Sequence, residues 1–239
     1  MVQVHSLIFA GGTGQRMNTR AKPKQFLELH GKPIIIYTLE HFEVHPEIDN
    51  IVIVCVENWI QDLKKMLRQH DLEKVSQVVP GGSGGDKSIY NGLKVLNGKV
   101  SSDDIVLIHD GVRPLINSDL ISANIDAVKK NGNAITIEAL PESVVRVDGD
   151  CITEVPPRAE MYSAKAPQSF RFGLIWDLYQ RANNDGVRTI DSSHLCSLYG
   201  VKMHTVISTP YNIKITAPHD YYIYRALFEA MENEQIIGI

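Results

Sequence analysis

Residues 8–26 read Ile-Phe-Ala-Gly-Gly-Thr-Gly-Gln-Arg-Met-Asn-Thr-Arg-Ala-Lys-Pro-Lys-Gln-Phe. A short apolar run breaks into Gly11, Gly12 and Gly14, and the cations Arg16, Arg20, Lys22 and Lys24 follow. Glycines let the backbone approach a ligand closely with its N–H groups turned inward, and such concavities bind anions. Cations on the same loop suit it to something more highly charged than one phosphate, and a nucleoside triphosphate is the natural candidate. A dinucleotide fingerprint needs a third glycine where Met17 stands, the one that lets helix and strand pack closely. A P-loop needs G-x-x-x-x-G-K-[ST], which occurs nowhere; Gly31-Lys32 runs into Pro33. A nucleotide-transferase loop is the third reading, with Arg16 and Lys24 in reach of a ligand lying on it. The bland alternative is a strand-to-loop turn whose glycines only supply positive φ.

The elements that must position this loop follow a regular alternation. Apolar runs at 6–10, 51–56, 75–79, 105–109 and 134–139 read as strands. Amphipathic stretches at 33–45, 59–70, 87–96 and 120–130 lie between them and read as helices. This βαβα pattern predicts an α/β fold, a Rossmann-like and mainly parallel sheet with helices on both faces. Ligands in such folds bind beyond the carboxyl ends of the strands. The glycine loop follows the first strand, Pro80-Gly81-Gly82-Ser83-Gly84-Gly85 the third, and His109-Asp110-Gly111-Val112-Arg113-Pro114 the fourth.

After Leu140 the pattern changes. Two short β-rich runs, 143–147 and 151–155, are joined by Asp148-Gly149-Asp150, a strong hairpin signal. They predict a protruding arm at about 141–160, too small to stand alone and expected to pack on something, a second subunit included. A helix at 172–182, strands at 203–208 and 212–216, and a helix at 220–231 complete the expectation. No linker or repeat divides 1–239, which reads as one domain.

Bulk properties narrow the function classes. The chain is 22% charged with a net charge of −4 and has no long basic stretch, which argues against nucleic acid as a partner. Cys55, Cys151 and Cys196 form no CxxC, so neither a disulfide framework nor a zinc knuckle is suggested. No basic leader and no apolar run long enough to span a bilayer appears, so a cytoplasmic protein without membrane association is expected.

The residues taken together resemble the CTP-dependent cytidylyltransferases that act on polyol phosphates. That group has two close branches, acting on 2-C-methyl-D-erythritol 4-phosphate and on ribitol 5-phosphate. The resemblance spans nearly the whole chain. It rests on Ala10-Gly11-Gly12-x-Gly14-x-Arg16-Met17 with Pro23-Lys24-Gln25-Phe26, and on Gly81-Gly82 with Ser88. It continues through His109-Asp110-x-x-Arg113-Pro114, Ala166-Pro167-Gln168-x-Phe170 and Asn212-Ile213-Lys214-Ile215-Thr216.

The resemblance implies that CTP and a polyol phosphate give a CDP-polyol and pyrophosphate. It makes Arg16, Lys24 and Lys214 the catalytic cations on the phosphates, where the bland reading has solvated surface charges. Ala10, Gly11, Gly12, Thr13 and Gly14, with Gly81, Gly82 and Ser88, would hold the nucleotide. Asp110, at the end of an apolar strand, would bind Mg²⁺ or another divalent cation shared with phosphate oxygens; a turn or N-cap aspartate is the alternative. Arg113 would grip the acceptor phosphate. The arm would cross to the other subunit of a homodimer, bringing Ser143 and Arg158 to that subunit's substrate pocket, although Arg158 could instead form an ion pair within the dimer.

Three departures bear on the substrate. Ser83-Gly84-Gly85-Asp86-Lys87 stands where relatives often carry an Asp-Arg pair, so a cation contact near the nucleotide is either lost or passed to Lys87. Tyr211 precedes Asn-Ile-Lys where the methylerythritol branch has an acidic residue; this and Arg158-Ala159-Glu160-Met161-Tyr162 look more like the ribitol branch. Ala166 replaces a small hydroxyl residue. The balance favours ribitol 5-phosphate, with methylerythritol phosphate as runner-up. A non-catalytic nucleotide-binding module is the rival from another class, and it would not need Arg16, Lys24, Asp110 and Lys214 together.

Overall fold

Apolar residues at successive positions become strands that bury both faces. The computed structural model describes residues 2–12 and 22–237. In chain order these form β1 (Val4–Ala10), β2 (Glu28–Leu29), β3 (Lys32–Pro33), α1 (Ile34–Glu43), β4 (Asn50–Cys55), α2 (Ile60–Gln69), β5 (Val75–Pro80), α3 (Gly85–Leu96) and β6 (Ile105–Asp110). There follow α4 (Ser118–Asn131), β7 (Asn133–Ala139), β8 (Arg146–Asp148), β9 (Cys151–Glu154), β10 (Tyr162–Arg171), α5 (Phe172–Asp185), α6 (Ser192–Leu198), β11 (Thr205–Ile207) and α7 (Pro218–Ile237). Seven strands build the central sheet in the order β11-β7-β10-β6-β1-β4-β5. Its neighbours pair in parallel except β10, which runs antiparallel to both β6 and β7. This is the α/β architecture the alternation predicts.

The period of two along each strand sorts side chains between two cores. Leu7, Val52, Val54, Val106 and Ile108 pack with residues of α3, α5 and α6. Ile8, Ile51, Ile53, Ile105 and Leu107 pack with residues of α1, α2 and α4. A smaller cluster places Tyr224 of α7 against Ile34, Tyr37 and Ile215. Among the described residues no helix is long and apolar enough to cross a membrane.

The second half departs from the sequence expectation. β10, ten residues long, lies outside the sequence expectation, because Pro167 interrupts its pattern and proline donates nothing to a ladder. The structure accommodates it in a register break between Ala164 and Gln168, where the Ala166–Pro167 peptide is cis. α6 is likewise absent from that expectation; its N-cap is Asp191, whose carboxylate accepts from the His194 N–H. Segment 212–216 is not the expected strand. Its backbone is satisfied one residue at a time, the Ile213 N–H by Tyr211 and the Ile215 N–H by Val112. The hairpin arm is present as β8 and β9, with Gly149 at φ 60° in the tip.

One close approach fixes the seat of α3. An added Cβ at Gly92 would lie 2.3 Å from Leu7 Cδ1 and 2.9 Å from Val54 Cγ2, both fully buried. Overpacking of this kind costs about 1–3 kcal/mol, and the better helix propensity of alanine returns at most about 1 kcal/mol. Gly92→Ala is therefore expected to lower stability, read as a reduced denaturation midpoint with an unchanged m-value.

Candidate active site

Because β1, β5 and β6 run parallel, the loops after them emerge at one edge of the sheet. Glycine makes room there for the start of α3. A Cβ on Gly81 would sit 3.4 Å from Gly11 Cα and 3.2 Å from Ser88 Oγ, and one on Gly82 would strike Lys87 at 2.4 Å. Ser88, on the first turn of α3, accepts from the Gly82 N–H (3.0 Å) and donates to the Gly84 carbonyl (2.8 Å), setting the turn of that loop. Gln25 fastens the other loop: its buried amide donates to the Ala10 carbonyl at 2.6 Å and to that of Gly12 at 3.3 Å.

Between these walls lies a cleft of about 370 Å³ whose lining includes Gly11, Gly12, Lys24, Ser88, Asp110 and Lys214. A second cavity of about 350 Å³ adjoins it, lined among others by Arg113, Lys165, Gln168 and Asp191. Phe9, Gly85, Asp110 and Lys214 belong to both linings. The two spaces thus meet at Asp110.

Asp110 is only 4% exposed, and cations hold both of its oxygens. Arg113 Nε donates to Oδ2 at 2.7 Å, and Lys214 Nζ lies 2.6 Å from Oδ1. Burial opposes its ionisation, but the Arg113 and Lys214 charges outweigh that and hold the carboxyl well below the usual carboxylate range. Arg113 Nη1 also donates to the Asn212 carbonyl at 2.9 Å. Lys24 Nζ donates to the Ile215 carbonyl at 2.8 Å, so both lysines are tied to one segment. His109 is driven down to about 3 by burial and stays neutral. Its ring rests against Phe42.

Most of the residues singled out in the sequence converge. Ala10, Gly11, Gly12, Lys24, Gly82, Ser88, Asp110 and Lys214 line the first cleft, Gly81 backs it, and Arg113 lines the second cavity. Thr13, Gly14 and Arg16 lie outside the described residues. Ser143 and Arg158 are exposed at the arm and line neither space of their own chain; Arg158 Nη1 reaches the Pro141 carbonyl at 3.4 Å. Lys87 does not take the place of the missing arginine, since its ammonium donates to Asn183 at 2.8 Å and it does not line the cleft. The guanidinium beside this loop comes from Arg188, which grips Asp86 with Nε at 2.5 Å and Nη2 at 3.1 Å. That Nη2 lies 2.7 Å from where a Gly84 Cβ would be, so the loop glycine makes room for it.

A divalent cation such as Mg²⁺ fits this site in one way. Among the described residues Asp110 is the sole carboxylate in the lining of the first cleft, and no group of three His, Cys, Asp or Glu is placed to hold a metal. One carboxylate suits a cation that takes its other ligands from phosphates and water. The Lys214 contact with Oδ1 is close but not aligned as a hydrogen bond, which leaves that oxygen able to accept.

Residues 4–230 match the family model of 2-C-methyl-D-erythritol 4-phosphate cytidylyltransferase, IspD. The chain belongs to this family. It is thus a cytidylyltransferase, an enzyme of the nucleotidyltransferase class. A ribitol-5-phosphate cytidylyltransferase of Vibrio parahaemolyticus is 48% identical over 235 residues, covering 98% of this chain and 99% of that protein. One of Streptococcus agalactiae serotype Ia is 47% identical over 236 residues, 98% of each chain. A 2-C-methyl-D-erythritol 4-phosphate cytidylyltransferase of Clostridium botulinum is 33% identical over 228 residues, 94% of this chain and 97% of that protein. The crystal structure of 4-diphosphocytidyl-2C-methyl-D-erythritol synthase from Anaerococcus prevotii superposes with a TM-score of 0.84 at 28% identity, covering 95% and 96% of the two chains.

Asp110→Asn would leave Arg113 buried without its counter-charge, a loss of about 3–5 kcal/mol. A carboxyl held low in the fold stabilises above its unfolded pKa of about 3.9, and that contribution fades as pH falls through the folded value. The gap between cytidylyltransferase and variant, measured by urea denaturation, is therefore expected to be full at pH 7 and to narrow below about pH 4.

Proposed function

We propose that this cytidylyltransferase joins CTP to ribitol 5-phosphate, giving CDP-ribitol and pyrophosphate. The observation that carries the acceptor is the 47–48% identity along the full chain to proteins of that name, against 33% to the relative named for methylerythritol phosphate. Tyr211 and the Arg158–Tyr162 pattern point the same way. Methylerythritol phosphate is the second reading, favoured by the family model and by the solved neighbour.

In this reading CTP lies in the first cleft on the Gly11–Gly12 and Gly81–Gly85 backbones, with the acceptor in the second cavity. An oxygen of the acceptor phosphate attacks the α-phosphorus. The bond from that phosphorus to the bridging oxygen breaks, and pyrophosphate leaves with the electron pair. The attacking phosphate is already ionised and needs no general base, so catalysis reduces to alignment and charge neutralisation. Lys24 and Lys214 supply fixed positive charge in the cleft, with Arg16 as a third cation. Arg113 orients the acceptor phosphate. Asp110, together with phosphate oxygens, would hold Mg²⁺, which when bound neutralises charge between the two polyanions.

The arm is assigned to a homodimer contact. Val147, Ile152 and Val155 are 60–61% exposed on it, an apolar strip that a partner subunit would cover. Ser143 and Arg158 would then serve the partner's acceptor cavity. CTP as donor favours the cytoplasm as the compartment of action.

Pyrophosphate release with CTP and a panel of polyol phosphates tests the assignment. Turnover is expected with ribitol 5-phosphate in preference to methylerythritol phosphate, to cease with EDTA and to return with Mg²⁺. Lys24→Ala and Lys214→Ala are each expected to lose about a hundredfold or more in kcat while unfolding remains cooperative; near wild-type turnover refutes their roles. Arg158→Ala is expected to raise the acceptor KM more than the CTP KM, whereas equal effects would mark it as an ion-pairing residue of the dimer.

A further inference from the structure

The second cavity has to receive an anion of roughly −1.5 to −2 charge if a phosphate monoester is its ligand. Among the described residues its charged lining consists of Arg113, Lys165 and Lys214 against Asp110 and Asp191. Much of this charge is already committed. Lys214 and Arg113 neutralise Asp110, and Arg113 spends a second donor on the Asn212 carbonyl. Asp191 is surrounded by the Gln168 amide, the Ser193 hydroxyl and the His194 N–H at 3.1, 2.7 and 2.8 Å. Ala166 offers no hydroxyl. Lys165 is the cation that leaves the described lining net positive.

The backbone brings Lys165 there by an irregularity. β10 pairs with β7 as far as Ala164 opposite Ile137 and resumes at Gln168 opposite Ile135. In a regular strand successive side chains turn to opposite faces, but a register break re-aims them. Ala164, Lys165 and Ala166 accordingly all contribute to one cavity wall. The Lys165 ammonium is held at 2.5 Å by Glu138, with side chains 20% and 28% exposed, and Glu138 itself does not line the cavity. The counter-ion steadies the lysine from outside the space the ligand would fill.

We propose that Lys165 is a second binding cation for the acceptor phosphate, beside Arg113, and that the phosphate draws the ammonium from Glu138 on binding. This rests on the polyol-phosphate reading of the same cavity. With ribitol 5-phosphate as acceptor, Lys165→Met is expected to raise the acceptor KM by about tenfold or more, the effect of losing one charge-assisted hydrogen bond. The CTP KM and kcat change little, and Lys165→Arg keeps most of the affinity. Glu138→Gln breaks the same ion pair but retains the cation, so it should leave the acceptor KM unchanged or lower it. An unaltered acceptor KM in Lys165→Met overturns the proposal. An equal rise in Lys165→Met and Glu138→Gln does so too, since it would mark the pair as structural. Wild-type enzyme that uses methylerythritol phosphate but not ribitol 5-phosphate would overturn the acceptor assignment alone. Lys165, which addresses the phosphate common to both, is then judged by the same variants with that substrate.

Discussion

A buried carboxylate cannot stand alone, and the arrangement of this molecule around Asp110 follows from that constraint. The residue terminates β6, in the middle of the sheet, where no water can solvate it well. Arg113 meets it from the same loop, but Lys214 has to come from a segment a hundred residues later. That requirement pins residues 212–216 across the strand ends without a ladder of their own. Arg113 then reaches the Asn212 carbonyl, and the Asn212 amide donates to the Ala166 carbonyl at 2.7 Å. One ionised group thereby joins β6, β10 and the segment before α7. His109 beside it stays neutral, so the local field is left to the cations facing the ligand spaces.

The remaining positioning is done by backbone rather than by charge. Gly11 and Gly81 touch so closely that their loops form one continuous surface, and Ser88 locks the turn through two hydrogen bonds. Such a surface offers N–H groups at fixed spacing and suits a polyanion better than flexible side chains would. The Asp86–Arg188 pair clamps α3 to the segment that leads into α6. That segment lines the neighbouring cavity, so the two ligand spaces share support as well as a border.

What the sequence made legible were features with a local cause. Apolar runs named the parallel strands, and their carboxyl ends located the loops that matter, because strand period and connection rules act over a few residues. The failures are non-local. Pro167 argues against a strand and is right about its own peptide group, yet neighbours on both sides rebuilt pairing around it. Lys87 was a reasonable heir to the missing arginine by adjacency, but the space was filled by Arg188, 102 positions from its partner Asp86. Segment 212–216 alternates like a strand because Ile215 must be buried while Lys214 is not, a demand that an irregular chain meets equally well.

β10 enters between two strands that a purely parallel sheet would have set side by side, and its broken stretch lines only one of the two cavities. The first cleft takes no wall from that stretch, although the two spaces share Asp110 and Lys214. Substitutions there change the wall of one space and leave the lining residues of the other as they are. A single scaffold can in this way diversify by rewriting five residues of one strand, and relatives carrying two different acceptor names along the same full-length alignment are what such a modular inheritance would leave behind.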